Sequence, residues 1–240
     1  YPVAFYYCLQ PLKVVIMAMF EQHSWYRIAP FGAYVFFMLL EDVLLVLLGW
    51  DVNEVRLLYA AKITVVALLL WWFRSAYREL QWPAGSTTRT WIIAIATGIV
   101  VFVAWVNLTA DWMMMGESTG FDPRENGEID WSFVVIRLIG AVLVVPVMEE
   151  LFWRSFLMRW LHHPNFLTVN PGQVGIKVFL ITAFLFAVAH NLWFAGLLTG
   201  VAYNLLYMRS GTLWSPILAH AITNGILGIW IITTDNWGFW

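Results

Sequence analysis

Residues 145–157 read VPVMEELFWRSFL. The apolar residues would sit in a bilayer, yet two adjacent carboxylates, Glu149 and Glu150, and a guanidinium, Arg154, fall in their midst. One charged side chain at the centre of a spanning helix costs on the order of 2.5–3.5 kcal/mol on insertion scales, so three of them so close together need compensation. Glu150 and Arg154 are spaced i,i+4 with the acid N-terminal, the favourable order for an ion pair on one helix face. Glu149 lies about 100° further round and must point elsewhere, toward another helix or a water-filled cavity. Pro146, just before, frees a backbone carbonyl and is expected to kink the helix.

The rest of the chain makes a membrane the natural solvent. Of 240 residues, 61% are hydrophobic and 12% charged, with a mean hydropathy of +0.73, too little polar surface to cover a soluble domain. A net charge of -2 without a Lys/Arg cluster argues against nucleic acid as a partner. The single cysteine, Cys8, allows no internal disulfide and reads as a small lipid-facing or packed residue. Several of the 16 tryptophans, among them Trp71, Trp72, Trp82, Trp91, Trp131 and Trp214, fall at segment ends, as in an interfacial belt. Numbering begins at Tyr1, which leaves room for a leader or tag, and no cleavable signal is recognisable.

A span needs roughly 20 apolar residues, and about eight candidates follow: 2–20, 30–49, 57–73, 90–108, 132–160, 175–190, 192–208 and 213–233. They are expected to be helices, since lipid offers exposed backbone no partner. The predicted fold is therefore all-α, a polytopic membrane protein of about eight helices enclosing a polar intramembrane chamber, in one membrane-embedded domain over 1–240. The connection at 74–90 carries Arg74, Arg78 and Arg89 against Glu79, whereas the loop at 111–130 is acidic and glycine-rich. The positive-inside rule puts the first in the cytoplasm with Arg27, Arg159 to Lys177, and Arg209, and the second outside with both termini.

Two further segments add polar groups. His190 follows an apolar run with Phe186 one turn earlier, and His220 and Asn224 share a helix face at i,i+4. Counted along their helices, Glu149, His190, His220 and Asn224 all fall at about 10–20 Å from the cytoplasmic end, close enough in depth to meet in one chamber. A partly desolvated carboxylate and an imidazole can share a water and take its proton. A second histidine with an amide one turn away offers donors to a developing oxyanion. Such a set suits amide hydrolysis within the membrane, although a purely structural charge network is the competing reading. Ser155 has no GxSxG context and no partner in the motif set.

The three segments, in this order, resemble the CPBP family of intramembrane metal-independent glutamate proteases, which includes the CAAX prenyl endopeptidases and bacteriocin-processing enzymes. EELFWR fits EExxxR, FAVAH fits FxxxH and HAITN fits HxxxN, and the intervening GLLTGVAYNLLYMRSGTLWSPILAH resembles that family's linker. The motif region is 145–228. The resemblance implies Glu149 as the base that activates water, His190 holding that water, His220 and Asn224 as the oxyanion hole, Glu150 and Arg154 as support, Phe186 as packing, and no cofactor. TTDNWGFW at the C-terminal end and VPVMEELFWRSFLMRWL further resemble a bacterial subgroup found with exosortase/PEP-CTERM sorting systems. That implies a bacterial cytoplasmic (inner) membrane, a membrane-associated peptide or protein substrate, and a sorting system as partner.

Other readings stay open beside an endopeptidase cutting near the cytoplasmic leaflet. Glu149, His190 and His220 could be zinc ligands, though HExxH is missing. A non-catalytic scaffold or chaperone of the same fold would use the chamber to bind a partner helix. A secondary transporter would employ Glu41, Asp42, Glu149 and Glu150, but no related halves are visible. Glu41 and Asp42 are more simply expected to pair with a base such as Lys13 or Lys62, and Gly196 and Gly200 form a GxxxG spacing for close helix packing.

Overall fold

Lipid leaves backbone polar groups only one another as partners, and the chain answers with helices. The computed structural model describes residues 22–50, 52–83, 86–116, 120–125 and 127–240. The first expected span, 2–20, with Cys8 and Lys13, lies outside them. Among the described residues the long helices are α1 (Gln22–Leu47), α2 (Val52–Trp72), α3 (Thr88–Asn107), α4 (Trp131–His162), α5 (Ile176–Val188), α6 (Trp193–Ser210) and α7 (Trp214–Thr234). The all-α expectation needs one amendment: two-residue strands β1 (Arg124–Glu125) and β2 (Glu128–Ile129) pair antiparallel within the polar loop.

This is an integral membrane protein, and the described residues account for part of the expected set of spans. Five described helices, α1, α2, α3, α4 and α7, are long and apolar enough to cross a bilayer. α5 has 13 residues, about 20 Å of helix against a hydrocarbon core of about 30 Å. α6 reaches 18 residues but carries Tyr203, Asn204, Tyr207 and Arg209, which lower its hydropathy. Composition alone could not separate these two from full spans, because their apolar runs are nearly continuous with the flanking residues.

Local signals set the helix ends. The Asp130 carboxylate accepts the Ser132 N–H at 2.9 Å at the start of α4. Gly211, at φ +68°, closes α6 with its N–H on the Tyr207 carbonyl at 2.9 Å. α4 runs on past Pro146. Over Gly140–Val144 it widens into a π-helical turn in which the Val145 N–H reaches the Gly140 carbonyl. The next donor in that register would be Pro146, which has no N–H, so the Ala141 carbonyl is the one set free.

The predicted basic side is gathered at one end of the bundle. Arg27, wholly buried, donates through Nε and Nη2 to both Glu79 oxygens at 2.7 Å each. Arg159 approaches the same carboxylate at 3.8 Å and donates to Ser155 Oγ at 2.7 Å, and Ser155 in turn donates to Glu79. The opposite end carries the hairpin, where Arg56 donates to the Arg124 carbonyl at 2.7 Å, Arg124 pairs with Asp235 at 2.5 Å, and the Phe121 N–H reaches the Trp237 carbonyl at 3.3 Å.

Close packing follows small residues. A Cβ added at Gly200 would stand 2.9 Å from the Ala183 carbonyl oxygen, and one at Gly196 would stand 3.2 Å from Ala187 Cα, so the GxxxG spacing does let α5 and α6 touch. Gly98 does the same for α3 and α7, where a Cβ would meet the Ala219 carbonyl at 2.5 Å. Glu41 faces Lys62 at 3.9 Å, the structural pairing expected for it. The lysine also lies over the rings of Tyr34 and Tyr59 at 4.6 and 5.0 Å.

The Glu79 carboxyl is held below the usual carboxylate range: burial pushes it up, but the bidentate Arg27 guanidinium and the Ser155 hydroxyl outweigh that. A depressed folded value contributes stability above the unfolded value of about 4.3, lost as pH falls through the folded one. Glu79→Gln is therefore expected to cost about 3–5 kcal/mol at neutral pH by stranding Arg27. Thermal unfolding of purified protein should show this, with a flatter acid limb than wild type; parallel pH profiles would remove Glu79 from the account.

Candidate active site

The two adjacent carboxylates part as helix geometry requires. Glu150 is fully buried, and its Oε1 accepts from Arg154 Nη1 at 3.1 Å and from His220 Nδ1 at 3.0 Å. The expected Glu150–Arg154 pair is present, but the acid also crosses to α7. Arg154 Nε donates to Asn204 Oδ1 at 3.2 Å, and its guanidinium lies 4.3 Å from the Phe186 ring centre and 5.3 Å from that of Tyr203. Asn204 Nδ2 is 3.0 Å from Thr182 Oγ1 and 3.2 Å from the Phe179 carbonyl. One carboxylate thus ties together α4, α5, α6 and α7.

Glu149 turns into a cavity of about 250 Å³ that His190, His220 and Asn224 also line. Its Oε2 is buried and has no hydrogen-bond partner among the described residues. His190 Nδ1 lies 2.7 Å from the Phe186 carbonyl, an acceptor only, so Nδ1 carries the hydrogen and Nε2 of the neutral ring keeps a lone pair. Phe186 and Trp105 fix that ring, at 4.5 Å and, edge-on, 5.5 Å between centres. Phe186 thus both packs the ring and anchors it through its backbone.

His220 is oriented from two sides. Glu150 takes its Nδ1–H, and Tyr203 lies 5.5 Å away between ring centres. The Tyr203 hydroxyl meets Thr223 Oγ1 at 2.8 Å, which is 2.9 Å from the Gly98 carbonyl, so this wall is tied to α3. Asn224 Nδ2 donates at 2.8 Å to the Ala141 carbonyl, the group that Pro146 frees. One N–H of that amide therefore secures α7 to the widened turn of α4, and the other remains for a ligand.

The cavity lies away from the basic end. Its lining runs from Glu149 past Leu227 and Gly228 to Arg137, Phe239 and Trp240, and a second cavity at the hairpin end shares Trp105, His190, Phe239 and Trp240 with it. Ser155 is placed in the Arg27–Glu79–Arg159 cluster and not in the cavity wall. Among the described residues no three His, Cys, Asp or Glu side chains converge in metal-ligating geometry.

Sequence reasoning passed over three residues here. Asn204 and Tyr203 are polar groups within an apolar helix, and that alone could have flagged them. Arg137, in the first turns of α4, belongs to none of the motifs, and only the packing places it on the cavity.

Residues 131–226 match the family model described as Type II CAAX prenyl endopeptidase Rce1-like. The segment begins with α4, ends within α7 and contains Glu149, Glu150, Arg154, His190, His220 and Asn224. It supports the CPBP protease resemblance carried by the three motifs, and with it a hydrolase. No curated protein and no solved structure matches the chain.

The Arg154 contact yields a test of the network. Asn204→Leu leaves Nε of a fully buried guanidinium without its acceptor and is expected to destabilise the protein by about 1–3 kcal/mol. Thermal unfolding in detergent would register the drop; an unchanged midpoint would mean that Asn204 does not hold Arg154.

Proposed function

We propose, taking residues 131–226 as a CAAX-protease-like segment, that the protein is an intramembrane endopeptidase hydrolysing a peptide bond with a water activated by Glu149. The observation that carries the reading is the Glu149 carboxylate: buried, unpartnered at Oε2, and facing the cavity it shares with two histidines and an asparagine. A structural acid in this bundle would be paired, as Glu79 and Glu150 are.

The steps follow from the hydrogen-bond roles. Glu149 takes one proton of the water while His190 Nε2 accepts the other hydrogen and fixes the direction of attack. The water oxygen bonds to the carbonyl carbon, and the negative charge that forms on the carbonyl oxygen is met by His220 and by the free N–H of Asn224. His220 faces that oxygen with the Nε2 edge of its ring, its Nδ1 being held by the Glu150 carboxylate. When the C–N bond breaks, Glu149 returns its proton to the leaving amine. Arg154 and Asn204 act at one remove by holding Glu150.

The substrate is a membrane-associated peptide or protein segment in a bacterial cytoplasmic membrane, with an exosortase-type sorting system as a partner. The cavity extends toward the hairpin end, so this reading has the substrate reach Glu149 from that half of the bundle. In a topology with the arginine end in the cytoplasm, the approach is from the outer side.

Glu149→Gln is expected to lower cleavage by about 10²–10⁴-fold, the usual contribution of a positioned base, with normal protein level and melting. Complementation of a deletion strain by wild type and by this variant, combined with membrane proteomics, checks it. Accumulation of a longer membrane protein in the variant strain supports the protease and names its substrate. Full rescue by the variant removes the catalytic reading and leaves a scaffold that binds a partner helix.

A further inference from the structure

Arg137 stands out among the cations of the bundle. It sits in α4, about 18 Å along the helix axis from Glu149, and lines the same cavity. Among the described residues its side chain has no carboxylate partner and none of its donors meets a protein acceptor. Its guanidinium is walled by aromatic faces instead, at 4.6 Å from Phe121, 4.8 Å from Tyr59 and 5.7 Å from Trp240, measured to ring centres. Glu41, the acid that acts on it through space, faces Lys62 at 3.9 Å. Arg27 and Arg154, by contrast, each have a carboxylate.

Cation–π contacts stabilise a guanidinium over a ring but leave the in-plane N–H donors unsatisfied. A planar fork of donors in a sheltered, apolar-walled site matches a carboxylate, which it binds in bidentate fashion. The aromatic wall also matters for the source of the anion, because rings from α2, the polar loop and the C-terminal segment stand around the charge and the cavity remains beside it.

We propose that Arg137 is an anion subsite of the cavity that binds the C-terminal carboxylate of the substrate peptide. The inference rests on the peptidase reading. The axial separation of about 18 Å corresponds to at most about five extended residues between that carboxylate and the bond at Glu149. Arg137 then sets which peptides are held in register, while Glu149 acts on the bond.

The test uses the Glu149→Gln protein in phosphatidylcholine nanodiscs, so that binding is measured without cleavage. The probes are a fluorescein-labelled apolar octapeptide with a free C-terminal carboxylate and its C-terminal amide twin. Anisotropy titration should give roughly tenfold or tighter binding for the acid, the scale of one charge-assisted bidentate contact. A second substitution of Arg137→Gln should abolish the preference, and Arg137→Lys should restore part of it in a protein of unchanged melting temperature. Equal binding of the two probes, no binding of the acid, or a preference that survives Arg137→Gln would overturn the subsite. Loss of the preference in phosphatidylglycerol nanodiscs would assign Arg137 to a lipid phosphate and also overturn it. The two readings fail separately: wild-type protein that cuts neither probe nor any cellular protein sinks the peptidase, whereas cutting without an Arg137-dependent preference sinks only the subsite.

Discussion

The bundle depends on one buried carboxylate. Glu150 receives Arg154 from its own helix and His220 from α7, and through Arg154 it reaches Asn204 on α6 and the Phe186 ring on α5. Buried charges cost several kcal/mol each to desolvate and are tolerated only where geometry and further hydrogen bonds compensate. That requirement is also a constraint on shape. The four helices can satisfy these groups in one mutual arrangement, and that arrangement fixes the imidazole of His220 at the cavity wall.

The same logic explains why the neighbouring acid differs. One residue along the helix turns Glu149 away from the network and toward the cavity it shares with His190, His220 and Asn224. Pro146 contributes by removing a donor, since the Ala141 carbonyl that it frees is the group Asn224 binds. The helix irregularity and the third motif are therefore two halves of one contact. A regular α4 without proline would have satisfied Ala141 internally and left Asn224 with no anchor.

Charge is handled in three ways across the molecule. At the arginine end Glu79 collects Arg27, Arg159 and Ser155. In the middle Glu150 serves structure and orientation together. Toward the hairpin end Arg137 is caged by rings and left open to the cavity. Paired charges hold the scaffold, whereas Glu149 and Arg137, which have no ion-pair partner among the described residues, share the cavity.

Much of this was legible in the chain itself. Apolar runs of spanning length set the helices, because in lipid no other backbone form closes its own hydrogen bonds. The Glu150–Arg154 pair and the Gly196–Gly200 contact follow from fixed helical spacings. The three ordered motifs named side chains that the fold brings to one cavity, Glu149, His190, His220 and Asn224, and the asymmetry of arginines grouped Arg27, 74–80 and Arg159 at one end. Tertiary structure decided what local spacing cannot encode: that α5 falls short of a full span, that His220 meets Glu150 across 70 positions, that Asn204 holds Arg154, and that Glu79 belongs to Arg27. It also put Arg137 on the wall of the Glu149 cavity. The reason is physical. Periodicity tells which side chains share a helix face, but the partner of that face depends on how each helix is rotated and packed against the others, and that is settled only when all the buried charges are satisfied together.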